Sequence, residues 1–193
     1  MHENNRITDA LDIALTRARG LGSGSRIVGY GVAVVTGPDG EVKQIEPFAN
    51  LVTDKGDEYY AKKAITGISP ANATAPTAAN GMKLGTGTTA ASKSSTGAAL
   101  VSYISGSNVA FDSTYPQAGA VGTDAGWNAT YQTTWAAGTA TNSAITEVVI
   151  VNDQAANATT TAANTISRAV LTAINKAAGD SLTITWNHKF LGA

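Results

Sequence analysis

The stretch Trp127-Asn128-Ala129-Thr130-Tyr131-Gln132-Thr133-Thr134-Trp135 sets its aromatic residues on odd positions and its most polar ones on even positions. Period two held over nine residues predicts a strand with one buried face. The same rhythm returns near the C-terminus, where Leu182, Ile184, Trp186, His188 and Phe190 alternate with Thr183, Thr185, Asn187 and Lys189. Residues 165–174 precede it, and the turn-rich stretch 175–180 makes these two strands a predicted terminal hairpin. Residues 144–151 are apolar on both faces except Glu147, which predicts a central strand.

Working outward, residues 27–36 are valine-rich and run into Gly37-Pro38-Asp39-Gly40, a strong turn, after which 41–48 alternate again. A hairpin is predicted there. Thr53 or Asp54 can cap a helix over 55–65, with Tyr59, Tyr60, Ala61 and Ile65 as its buried stripe. Residues 67–80 lack periodicity and read as a surface loop, while 82–87 and 98–104 are further strand candidates. Seven or eight short strands with little helix predict a mainly β chain, an antiparallel β-sandwich of jelly-roll-like or immunoglobulin-like type over residues 26–193.

The N-terminal part differs. Residues 6–19 carry Ile7, Leu11 and Leu15 at helical spacing, and Gly20-Leu21-Gly22-Ser23-Gly24-Ser25 has the composition of a linker. Residues 1–25 are therefore expected to form an amphipathic interaction arm, with Ile7, Leu11 and Leu15 as its contact residues.

Composition narrows the chemistry. With no cysteine, disulfide frameworks, thiolate metal sites and thiol nucleophiles are excluded. Thirteen Lys+Arg against fourteen Asp+Glu leave a net charge of -1, without the basic excess of nucleic-acid binders. Charged residues are 14% of the chain against about 25% in an ordinary domain, with 35 alanines and 26 threonines in their place. The segment 94–167 holds no Lys or Arg but includes Asp112, Asp124, Glu147 and Asp153, so a weakly negative field is expected there. The polar N-terminus lacks the apolar core of a secretion signal, and no apolar run reaches about 18 residues. Synthesis in a cytoplasm, with neither membrane nor nucleic acid as partner, is the expectation.

No catalytic constellation emerges, and neither cofactor nor metal is expected. His188 shares a strand face with Trp186 and Phe190, where a hydrogen-bonded structural histidine is the ordinary outcome. Asp112 and Asp124, with Trp127 and Tyr131 near them in sequence, are the one pair worth weighing for a two-carboxylate glycosidase, and turn aspartates are the plainer interpretation.

Four stretches carry a resemblance. They are Pro47-Phe48-Ala49-Asn50-Leu51-Val52-Thr53-Asp54-Lys55-Gly56-Asp57, then Met82-Lys83-Leu84-Gly85-Thr86-Gly87-Thr88-Thr89, then residues 145–152, and finally Gly179-Asp180-Ser181-Leu182-Thr183-Ile184-Thr185-Trp186. In this order they resemble small virion structural proteins of tailed bacteriophages. The resemblance implies a non-enzymatic capsid decoration (cement) protein on the outer head surface, with the major capsid protein as partner and self-association as a trimer or dimer. The alternative it leaves is a tail, collar or fibre-associated protein, with receptor or glycan contact through Trp127, Tyr131 and Trp135.

Overall fold

The computed structural model describes residues 2–19, 26–66, 76–120 and 126–191. In chain order the elements are α1 (His2–Arg19), β1 (Arg26–Thr36), β2 (Val42–Val52), α2 (Asp54–Ile65), β3 (Gly81–Gly85), β4 (Val109–Ala110), β5 (Gln117–Ala120), β6 (Trp127–Trp135), β7 (Asn142–Val151), β8 (Thr165–Lys176) and β9 (Ser181–Leu191). The protein is mainly β, and the nine strands among the described residues lie in one antiparallel sheet of order β4-β3-β7-β8-β2-β1-β9-β6-β5.

The expected sandwich is corrected by the β2–β8 junction. Leu51 pairs with Arg168 and Val52 with Ser167, which joins the two halves through backbone hydrogen bonds. Beyond that point side chains take over from the ladder. Gln44 Nε2 donates to Ala173 O at 3.1 Å, and the N–H groups of Thr172 and Asn175 donate to Glu46 Oε1 and Gln44 Oε1 at 3.3 Å each. The sheet curls around this junction into a half-barrel, so one face wraps a single core.

At the other end of the curl, the chain just beyond β4 reaches β6. Asp112 N–H donates to Gln132 O at 2.9 Å, and the Asp112 carboxylate accepts Thr134 N–H at 3.0 Å and the Thr134 hydroxyl at 2.9 Å. Trp135 Nε1 donates to Ser107 O at 2.8 Å. Inside the curl lie Val35, Phe48, Trp135, Leu182, Ile184 and Trp186 from one half against Met82, Leu84, Val148, Ile150, Ile166 and Ile174 from the other.

The predicted terminal hairpin is also corrected. β9 pairs with β1 along its whole length, from Arg26↔Leu191 to Thr36↔Ser181, and β8 pairs with β7 and β2. The β1–β2 hairpin therefore sits between two strands that are consecutive in sequence. Alternation assigns faces and leaves the choice of neighbour to the tertiary fold. The strand expected over 98–104 is a 3-10 turn, Thr96–Ala98, followed by irregular chain with one bridge, Gly85↔Tyr103. Its apolar Leu100 instead covers Val149 and Val151 on the outer face of β7. β7 is thus buried on both faces, as its sequence predicts.

Both helices lie on this sheet. α1 seats Ala14 and Leu11 against Val28, Tyr30 and Ala49. Val28 and Tyr30 alternate with the core-facing Ala33 and Val35 of β1, so α1 covers the face opposite the main core. α2 is capped by Thr53, whose hydroxyl accepts Gly56 N–H at 3.0 Å and donates to Thr165 O at 2.6 Å. Tyr59 of α2 is buried and Tyr60 packs on the core, whereas Ala61 and Ile65, expected in the stripe, are exposed.

Candidate functional site

Two buried polar clusters hold most of the hydrogen-bonding chemistry inside the protein. The first surrounds His188, which is fully buried on β9. Trp186 Nε1 can only donate, and it donates to Asn50 Oδ1 at 2.8 Å. That turns the Asn50 amide nitrogen toward Ser167 Oγ and, at 3.5 Å, toward His188 Nε2. Nε2 is then the acceptor and Nδ1 carries the proton, donated to the Tyr60 hydroxyl; Tyr60 in turn donates to the Tyr131 hydroxyl at 2.8 Å. Burial lowers the His188 pKa from 6.5 to about 3 and raises that of Tyr131 to about 12, so both are neutral at pH 7. The chain of bonds ends in the Ser167 hydroxyl donating to Leu51 O at 2.9 Å. It ties α2, β2, β6, β8 and β9 together. Ser167 meets Asn50 rather than the imidazole, so the cluster lacks the nucleophile-to-base contact of hydrolytic triads.

The second cluster centres on Glu147 and Arg168, both fully buried. Arg168 Nε and Nη2 donate to Glu147 Oε2 at 3.1 and 2.9 Å. The carboxylate also accepts the backbone N–H groups of Gly87, Val101 and Ser102 at 3.0, 3.1 and 2.7 Å. Arg168 Nη1 donates to Thr89 O and Gly97 O. The pair thereby supplies partners to the irregular chain at 86–102, which has few ladder bonds of its own. Gly85 and Gly87 make room for it: a Cβ would stand 2.4 Å from Glu147 Oε1 at Gly85 and 2.6 Å at Gly87.

These contacts bring the four quoted stretches together in pairs. Asn50 of the first meets Trp186 of the fourth, and Gly87 of the second meets Glu147 of the third. Their distinctive residues hold the scaffold.

The residues expected at the surface are divided by the curl. Trp127 is 60% exposed, but Tyr131 and Trp135 are buried, which corrects their assignment as surface contacts. All three share a face of β6, yet only its N-terminal end runs past the core. Of the arm residues, Leu11 packs on the sheet, Ile7 is half-buried, and the side chain of Leu15 lies outside the described residues, as does the linker 20–25. Asp112 spends both carboxylate oxygens on Thr134, and Asp124 lies outside the described residues. No group of three or more metal-ligating side chains occurs among the described residues, nor does a helix long and apolar enough to cross a membrane.

The charges of segment 94–167 turn inward as well. Glu147 is neutralised by Arg168, and Asp153 pairs at 3.1 Å with Lys83, itself fully buried. Among the described residues of that segment only Asp112 lacks a cationic partner, so the field is weaker than expected from the sequence. Among the described residues of the segment, the exposed positions are uncharged, Ala110, Ser113, Thr114, Ala118, Ala136, Ser143, Ala155 and Thr159 among them.

No family model matches the chain, and no curated protein or solved structure matches it.

Proposed function

We propose that the chain is a non-enzymatic structural protein of a tailed-bacteriophage virion, acting as a capsid decoration protein that bridges major capsid subunits on the outer head surface. The observation that carries this reading is that the exposed positions among the described residues of segment 94–167 are uncharged and rich in alanine and hydroxyl side chains. Such a surface loses little charge hydration when it is covered, which suits repeated contact with a lattice. The sequence resemblance points the same way, and its residues serve the scaffold. Self-association as a trimer or dimer accords with the local symmetry axes of a head lattice.

Exposed Trp127 beside the edge strand β5 favours one second reading, a tail or collar protein that contacts a receptor or glycan there. Quantitative mass spectrometry of purified particles separates the two. Copies in the hundreds per particle are expected for a head-lattice protein, and about three to twelve for a tail vertex. Absence from purified particles overturns the virion assignment.

A further inference from the structure

We propose that the cleft between α2 and the Ala162–Asn164 turn binds an acidic saccharide, a sugar ring carrying a carboxylate. The cleft has a volume of about 270 Å³ and is lined by Lys55, Glu58, Tyr59 and Lys62 of α2 and by Asn152 and Asn164 across from them. That lies just under the roughly 300 Å³ at which sites for drug-sized ligands begin, a size suited to one or two sugar rings.

Its polar groups are of two kinds. The side-chain amides of Asn152 and Asn164 and the Tyr59 hydroxyl have no hydrogen-bond partner among the described residues. Amide and hydroxyl groups both donate and accept, matching sugar hydroxyls, which do the same. The charged groups are already arranged. Lys55 donates to Glu58 Oε2 at 2.9 Å and Lys62 to Oε1 at 2.5 Å, which leaves the three lining charges at +1. Hydrogen bonds from Lys62 and then Lys55 lower the Glu58 pKa to about 2, so the carboxylate stays ionised. Each ammonium has three N–H groups and spends one on Glu58, leaving donors and net positive charge for a ligand carboxylate.

The walls are held in place before anything binds. Asn152 N–H donates to Asn164 O at 3.1 Å, which fixes the two amide-bearing residues side by side. The Tyr59 ring packs edge-on against Tyr60 at 5.2 Å, and Lys63 lies 5.9 Å from its centroid. A preorganised set of donors and acceptors binds with less ordering cost. This inference stands on the cleft alone and is independent of the virion assignment.

The test is an amide-detected NMR titration of the full chain with sodium glucuronate, glucose and sodium acetate in parallel. Glucuronate is expected to shift the side-chain amides of Asn152 and Asn164 and the backbone of residues 55–62. It should bind at least about ten-fold more tightly than glucose or acetate. The variant N152A/N164A, which keeps the backbone bond between residues 152 and 164, is expected to weaken glucuronate binding at least ten-fold while the rest of the spectrum holds. Absence of localised shifts with glucuronate overturns the proposal, as does acetate binding as tightly, which would mark a simple anion site. Glucose binding as tightly as glucuronate overturns the charge assignment, and unchanged affinity in N152A/N164A overturns the site.

Discussion

Trp186 Nε1 donates to Asn50 Oδ1 at 2.8 Å, joining two residues 136 positions apart inside the core. Because the indole nitrogen can only donate, this one bond orients the Asn50 amide and, through it, sets the proton on His188 Nδ1. The relationship is both a packing contact and a switch for the polarity of the whole cluster.

Replacing Trp186 by Phe keeps an aromatic ring against Phe48, whose centroid lies 5.1 Å away, but leaves Asn50 Oδ1 buried without its donor. A loss of about 1–3 kcal/mol is expected, beyond that from the smaller ring. Urea unfolding should show a lower midpoint with an unchanged slope.

Glu147 and Arg168 should be costly to separate and cheaper to remove together. Glu147→Leu strands a buried guanidinium and is expected to cost about 3–5 kcal/mol, as is Arg168→Met for the opposite reason. The double variant should lose less than the sum of the two singles, read as a coupling in a double-mutant cycle. In Glu147→Leu, hydrogen exchange at the amides of Gly87, Val101 and Ser102 should accelerate first, since these donate to the lost carboxylate.

Thr133 presents the reverse case. It is fully buried on the inner face of β6, and its hydroxyl has no hydrogen-bond partner among the described residues. Thr133→Val replaces that hydroxyl with a methyl of similar shape and keeps the β-branch that suits a strand. A gain of about 1 kcal/mol is expected, measured as a rise in the thermal midpoint.

Acid should weaken the fold through His188. Its pKa is about 3 folded, lowered by burial, against 6.5 in an unfolded chain, so between those values the unfolded state binds the extra proton. Stability is therefore level above pH 6.5 with respect to this group and falls as pH drops, by up to about 1.4 kcal/mol per unit. Glu58 and Asp180, whose pKa values are lowered by hydrogen bonds from Lys62 and Lys43 respectively, begin to contribute only below the ordinary carboxylate range near 4. His188→Gln should flatten the slope between pH 6.5 and 4.5 in denaturant titrations. An unchanged slope would show that another group governs it.

Deleting residues 1–22 removes α1 and uncovers Val28, Tyr30 and Ala49 while leaving the β1 ladders to β2 and β9 in place. A single cooperative unfolding transition at lower temperature is expected by calorimetry, because the main core lies on the other face of β1. Loss of any cooperative transition would make α1 part of the folding unit.

Much of this protein was legible in its sequence, for a local reason. Period-two alternation marks β6 and β9, the Gly37–Gly40 turn marks the first hairpin, and Thr53 marks the start of α2, because each signal depends on neighbours a few residues apart. Even Glu147 announced itself as the single charge in an apolar strand. Its partner did not: Arg168 lies on a different strand, and only the β7–β8 register, with Val149 opposite Arg168, brings the two together.

What the tertiary structure alone decided is which strands are neighbours and where the sheet bends. β9 lies beside β1 rather than β8, and the curl buries Tyr131 and Trp135 while leaving Trp127 on the same strand face open. The cleft at α2 is likewise a product of assembly, since Asn152 follows the end of β7, Asn164 precedes the start of β8, and both meet Tyr59 only in the fold. Alternation specifies the face a side chain takes, whereas exposure depends on what the rest of the chain places over that face.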